Sequence, residues 1–177
     1  MSFLGIRKPG NAILAAGTPM VTQKKVETAT NMYPGRLVKK GTNDDDVVVN
    51  TAAGACYGWL GYEQCMDAAS MPADVDTIYE ANAQAPVLFG GHFVVVGCLT
   101  TSQTIVAGDR LVAAANGMVQ KAVAATATTG AATASAVDAT TPTIDGSVGS
   151  DGIIIGIAME SVTTTSSEAD ILVHSLI

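Results

Sequence analysis

The chain has 177 residues, nearly half of them apolar, with 5% aromatic and 14% charged residues and a net charge of −7. That length suits one domain with an arm or a long insertion. The acidic balance argues against sequence-independent nucleic-acid binding, which needs clustered Lys and Arg, and no apolar run approaches the ~20 residues of a membrane helix. The charged fraction lies well below the roughly one quarter usual for soluble domains. A partner or copies of the chain itself are therefore expected to cover part of the surface.

Cys56, Cys65 and Cys98 form no Cys-x-x-Cys pair. An odd count without a spacing motif gives no disulfide framework, so a reducing compartment is expected. Residues Met1 to Pro9 carry their charge after the short apolar stretch, the wrong order for a secretory signal, which fits synthesis in a cytoplasm.

Along the chain, residues 1 to 32 hold Gly5, Pro9, Gly10, Gly17 and Pro19 and no helical period. They read as an extended arm, or alternatively as an edge strand with a frayed end. Tyr33-Pro34-Gly35 is a turn, and Arg36 to Lys40 alternates like a half-buried strand. Gly41 to Asp46 is a polar turn into Val47 to Val49, and Ala55 to Tyr62 is another strand with glycines marking a bulge or a close approach. Glu63 to Ser70 suits a short helix, while Asp76 to Glu80 suits a strand or a helical turn. Pro86 to Phe89 and His92 to Leu99 are strongly β-forming, with Gly90-Gly91 between them.

The clearest signal is Ile105 to Val123. Two short strands meet at Asn116-Gly117, the preferred pair for a type I′ hairpin because both positions need positive φ, and an Ala-Gly-Asp turn leads in. Residues 122 to 150 are rich in Ala, Thr, Ser and Gly and read as a loop or excursion. Ile153 to Met159 and Ala169 to Leu176 close the chain as two strands. Eight or more short strands with little helix predict an all-β fold, a small barrel or sandwich over 33–177 following the arm.

Catalytic chemistry is sparse. His92 and His174 are the near-neutral bases, read as half-buried strand residues, and no Gly-x-Ser-x-Gly elbow accompanies them. Asp44-Asp45-Asp46 lacks calcium-loop spacing, and two histidines with three scattered cysteines give no zinc spacing, so neither metal nor cofactor is expected. Arg7-Lys8, Lys24-Lys25 and Arg36…Lys39-Lys40 all lie in the first quarter, where they either dock on an acidic protein surface or simply solubilise the chain. The Ala-Gly-Asp hairpin is similar to that of biotinyl and lipoyl carrier domains. Those carry their modified lysine at the tip, where this chain has Asn116-Gly117, with Lys121 several residues beyond.

Tyr33-Pro-Gly-Arg-Leu-Val-Lys-Lys-Gly41, Gly58-Trp-Leu-Gly-Tyr62, Val106-Ala-Gly-Asp-Arg-Leu-Val-Ala-Ala-Ala-Asn-Gly-Met-Val119 and Gly156-Ile-Ala-Met-Glu160 follow one another in a recurring order. That order resembles the head decoration, or capsid cement, proteins of tailed viruses of bacteria and archaea. The resemblance covers residues 33 to 177 apart from the Ala/Thr-rich insertion, and its specificity lies in the order of short motifs. It implies a barrel-like domain, commonly a homotrimer, on the outside of an icosahedral capsid. There it would clamp neighbouring major capsid subunits against the pressure of packaged DNA, without catalysis.

The arm would add contacts through Phe3, Leu4, Ile6, Arg7 and Lys8, chosen as sticky or basic residues in a segment without its own core. The alternatives are a tail-tube, fibre or spike component and, from another class, a small β-barrel hydrolase or ligand-binding domain with a pocket near His92 or His174. A fibre should show internal repeats, and none is evident.

Overall fold

A computed structural model describes residues 8–51, 56–62, 72–123 and 153–177. The fold is all-β. Its strands in chain order are β1 (Leu14–Ala16), β2 (Met20–Val26), β3 (Leu37–Lys40), β4 (Asp46–Val49), β5 (Gly58–Leu60), β6 (Gln84–Phe89), β7 (Val94–Leu99), β8 (Thr104–Ile105), β9 (Arg110–Ala113), β10 (Val119–Lys121), β11 (Ile154–Ala158), β12 (Val162–Thr163) and β13 (Ala169–Ser175).

The strands sort into two barrels. The N-terminal one closes in the order β2-β4-β3-β5-β6, with β2 antiparallel to β6 and parallel to β4. In the C-terminal sheet the order is β1-β7-β10-β9-β11-β13, and β13 returns to pair with β7 over six residues, so five of its strands form a ring. A two-stranded ribbon of β8 and β12 stands beside it. Closure leaves few free edges to template aggregation.

Alternation along β3, β5 and β6 explains how the barrels join. Val38, Leu60 and Val87 face one way, into a cluster with Val26, Met32, Val47, Tyr79 and Ala85 inside the N-terminal barrel. Their neighbours Leu37, Trp59 and Leu88 face the other way, into the cluster of Val95, Leu99, Leu111, Val119, Ile155, Ile171 and Val173. A period of two thus makes each strand serve two cores. Trp59 sits at the seam, fully buried, and its indole N–H donates to Ser175 Oγ at 3.1 Å. Gly97 makes room for it: a Cβ there would lie 2.8 Å from the Trp59 ring.

The boundary of the expected arm is corrected. Residues 14–16 pair with β7 at the edge of its sheet, 20–26 are barrel strand β2, and Ile13 is buried in the core, so from residue 13 onward the segment belongs to the body, as the edge-strand alternative has it, and is not an arm. The signal was missed because β2 reads Met-Val-Thr-Gln-Lys-Lys-Val, with lysines whose acidic partners lie on a distant turn. The Glu63–Ser70 helix and nearly all of the 122–150 excursion lie outside the described residues. Asp76 to Glu80 is neither a strand nor a helical turn. Thr77 Oγ1 and the Asp76 amide donate to Asp74 Oδ1, and Tyr79 then enters the core with its hydroxyl on the Gly61 carbonyl at 3.1 Å.

Candidate functional site

The Ile105–Val123 signature builds what its chemistry demands. β9 and β10 pair antiparallel, with Val119 opposite Ala113. At the tip, Asn116 and Gly117 have φ of 57° and 71°, and the Met118 amide donates to the Ala115 carbonyl at 3.2 Å. A Cβ at Gly117 would collide with the Leu37 carbonyl 2.6 Å away, so the tip lies directly on the N-terminal barrel. In the Ala-Gly-Asp turn Gly108 has φ 95°, and Asp109 Oδ2 accepts from the Val106 amide at 2.8 Å and from Lys121 Nζ at 2.6 Å. Those two bonds hold the Asp109 carboxyl below its ordinary range. Lys121 is thus an internal partner of Asp109 and lies away from the hairpin tip.

The basic residues of the first quarter are largely spent on the chain's own acids. Lys40 pairs with Asp44 at 2.6 Å, Lys24 with Asp45 at 3.5 Å and Lys25 with Asp46 at 3.0 Å. Asp46 is buried and also accepts from Asn43, the largest of the influences that lower its pKa, ahead of Lys25. The aspartate triplet therefore joins β2, β3 and β4, and the solubilising reading of these lysines fits better than a basic docking face. Among the described residues no group of three or more His, Cys, Asp or Glu is placed to hold a metal ion.

Arg36 is the most heavily used cation. It is 8% exposed, donates to Glu168 Oε2 at 2.6 Å and to the Asn116 carbonyl at 3.0 Å, and lies over the Tyr33 ring. It forms one wall of a cleft of about 560 Å³ shared with Asn31, Asp76, Cys98 and Asp170. Cys98 donates to the same Glu168 oxygen at 3.4 Å, and burial pushes its thiol up to about 12. A thiol so raised carries almost no nucleophilic thiolate at neutral pH. Nothing in the sequence marked this cluster, because its members lie 80 and 132 residues apart.

Of the expected arm contacts, Phe3, Leu4, Ile6 and Arg7 lie outside the described residues. Lys8 is described, and it is tied down. Its Nζ pairs with Glu160 at 2.8 Å and donates to the Asp170 carbonyl at 2.6 Å. The histidines differ from expectation in one respect. His174 lies in β13 and is half-buried, but His92 precedes β7 in a left-handed turn and is exposed.

Several large apolar side chains are exposed. Met20 (59% exposed) is registered with Phe89, whose ring meets that of Tyr57 at 5.9 Å, while Val21 (56%), registered with Leu88, is exposed on the other face of β2. Val106, Val123 and Ile153 are also more than half exposed. Such side chains on a charge-poor surface suit broad protein contact better than a reactive pocket.

Comparison with known proteins agrees in kind. No curated protein matches the chain. Among solved structures, the N base of head fiber gp8.5 of bacteriophage phi29 is similar at a TM-score of 0.42 and 10% identity, over 90% of this chain and 98% of that one. That likeness is too distant to carry an argument. Residues 4–159 match the XM1 gp53 minor capsid protein family, a stretch that spans the whole N-terminal barrel and the Asn116-Gly117 hairpin and ends just past β11. The chain belongs to the XM1 gp53 minor capsid protein family and is a structural protein of a phage virion.

Proposed function

We propose that this minor capsid protein decorates the outside of the icosahedral head, where it clamps neighbouring major capsid subunits and opposes bursting by packaged DNA. The observation that carries the reading is the family match across 4–159. The exposed apolar groups at Met20, Val21 and Tyr57, on a chain with only 14% charged residues, support it. A clamp needs area and shape rather than reactive groups, and repetition over a shell multiplies weak contacts. Binding only the assembled shell stabilises it by mass action. The protein acts without catalysis, as a homotrimer made in the host cytoplasm. Residues before Lys8 form the capsid-binding arm, with Lys8 as its anchor on Glu160 and Asp170.

The test is to mix the purified protein with shells of its own virus that lack it and to image them by electron cryo-microscopy. Ordered density bridging capsid subunits is the expected result. Bare shells would overturn the clamp, and density projecting from a single vertex would reassign the protein to a fibre or tail component. Deleting residues 2–7 should lower occupancy while leaving the folding transition unchanged; undiminished occupancy would remove the arm from the scheme.

A further inference from the structure

The chain has two histidines, distant in sequence, and the fold brings both to one place. Their ring centres are 5.8 Å apart, with the planes inclined by 44°. The backbone is shaped to bring them there. Gly90, Gly91 and His92 have φ of 99°, 70° and 59° in succession. Two glycines adopt positive φ freely, but a histidine there is uncommon and its conformation must be held by its surroundings. It is held by β13: the His92 amide donates to the Ser175 carbonyl at 2.9 Å, and the Ser175 amide donates to the Phe93 carbonyl at 2.8 Å. His174 is registered between Val94 of β7 and Ile157 of β11, so no carboxylate stands directly beside it on either neighbouring strand.

We propose that His92 and His174 form a bidentate site for a divalent transition-metal ion of the imidazole-preferring kind, Cu²⁺, Ni²⁺ or Zn²⁺. Imidazole nitrogens bind such ions at about 2.0–2.1 Å, which places two ring centres about 5–6.5 Å apart for angles from tetrahedral to linear. The observed separation falls inside that window. Two protein ligands leave the remaining positions to water, so the site is weaker than a closed four-ligand zinc site. The partly buried cysteines are poor competitors, since burial pushes Cys56 up to about 11 and Cys98 to about 12. The site is independent of the clamp, and its test does not require a capsid.

The experiment uses the full chain. Cu²⁺ electron paramagnetic resonance should show two equatorial nitrogens in the wild type and one in each of His92→Asn and His174→Thr. Asn keeps the left-handed preference at 92 and Thr keeps the strand preference at 174, with circular dichroism checking the fold. Titration with Ni²⁺ should show one ion per chain. Each substitution should weaken binding by at least the roughly tenfold typical of losing a mere outer-shell partner. One nitrogen or none in the wild type, or unchanged Ni²⁺ affinity in either variant, would overturn the site.

Discussion

The N-terminal barrel fills its interior with side chains from its own strands and from the loops just beside them, whereas the main cluster of the C-terminal barrel takes in Leu37, Trp59 and Leu88 from its neighbour. The first barrel is further joined at its rim by three lysine–aspartate pairs. The second is completed by packing and by the hairpin tip that rests on the first. The dependence therefore runs one way: the C-terminal barrel needs the seam, and the N-terminal barrel loses less without it.

Trp59→Ala is the strongest way to break this comparison. Truncating a fully buried aromatic costs about 3–5 kcal/mol, and it also leaves Ser175 Oγ without its indole donor. One cooperative transition shifted to lower denaturant is expected in calorimetry and urea titration. Two separated transitions in the wild type would show that the barrels fold as independent units. Gly97→Ala attacks the same seam from the other side, since the added methyl meets the Trp59 ring. Overpacking of this kind costs about 1–3 kcal/mol, and fluorescence of the single tryptophan should report the displaced ring.

Tyr79→Phe sharpens the contrast within the first barrel. It removes the hydroxyl's bond to the Gly61 carbonyl, an expected loss of about 1 kcal/mol. Amide exchange should rise on β3 and β5 more than on β11 and β13; uniform loosening would make the two cores one. The smallest effect is Asp109→Asn, which keeps the acceptor for the Val106 amide and removes the charge facing Lys121. A partly exposed ion pair of this kind contributes roughly 0.2–1 kcal/mol. Because the native Asp109 carboxyl titrates below its ordinary 3.8, its contribution is complete above that pH and fades as pH falls through the native value. The wild type should therefore lose melting temperature in acid faster than the variant. Parallel curves would mean that the pair contributes nothing.

Much of the fold was legible because its signals are local. The Asn116-Gly117 turn, the Ala-Gly-Asp turn, the alternation of β3 and the apolar β-forming runs of β6, β7, β11 and β13 all lie within a few residues of their cause. β1 and β2 could be read equally as an arm or as an edge strand because their stabilising partners are remote: β7 for one, β6 and the 44–46 turn for the other. Lys8 was chosen for its charge, but a single sequence could not show that Glu160 and the Asp170 carbonyl already use it. The Arg36–Glu168 pair and the meeting of His92 with His174 were hidden for the same reason.

The sequence by itself determined that the chain is all-β, where most of its strands and turns fall, and that its chemistry is poor in reactive groups. Period-two alternation and positive-φ turn residues act over a few positions and need no knowledge of the whole. The tertiary structure alone decided that the strands close into two barrels, that Trp59 serves as the seam between them, and which charges are spent internally. Strand closure and ion pairing join residues far apart in the chain. Which partners meet depends on how all the strands pack together, and no window of sequence contains that information.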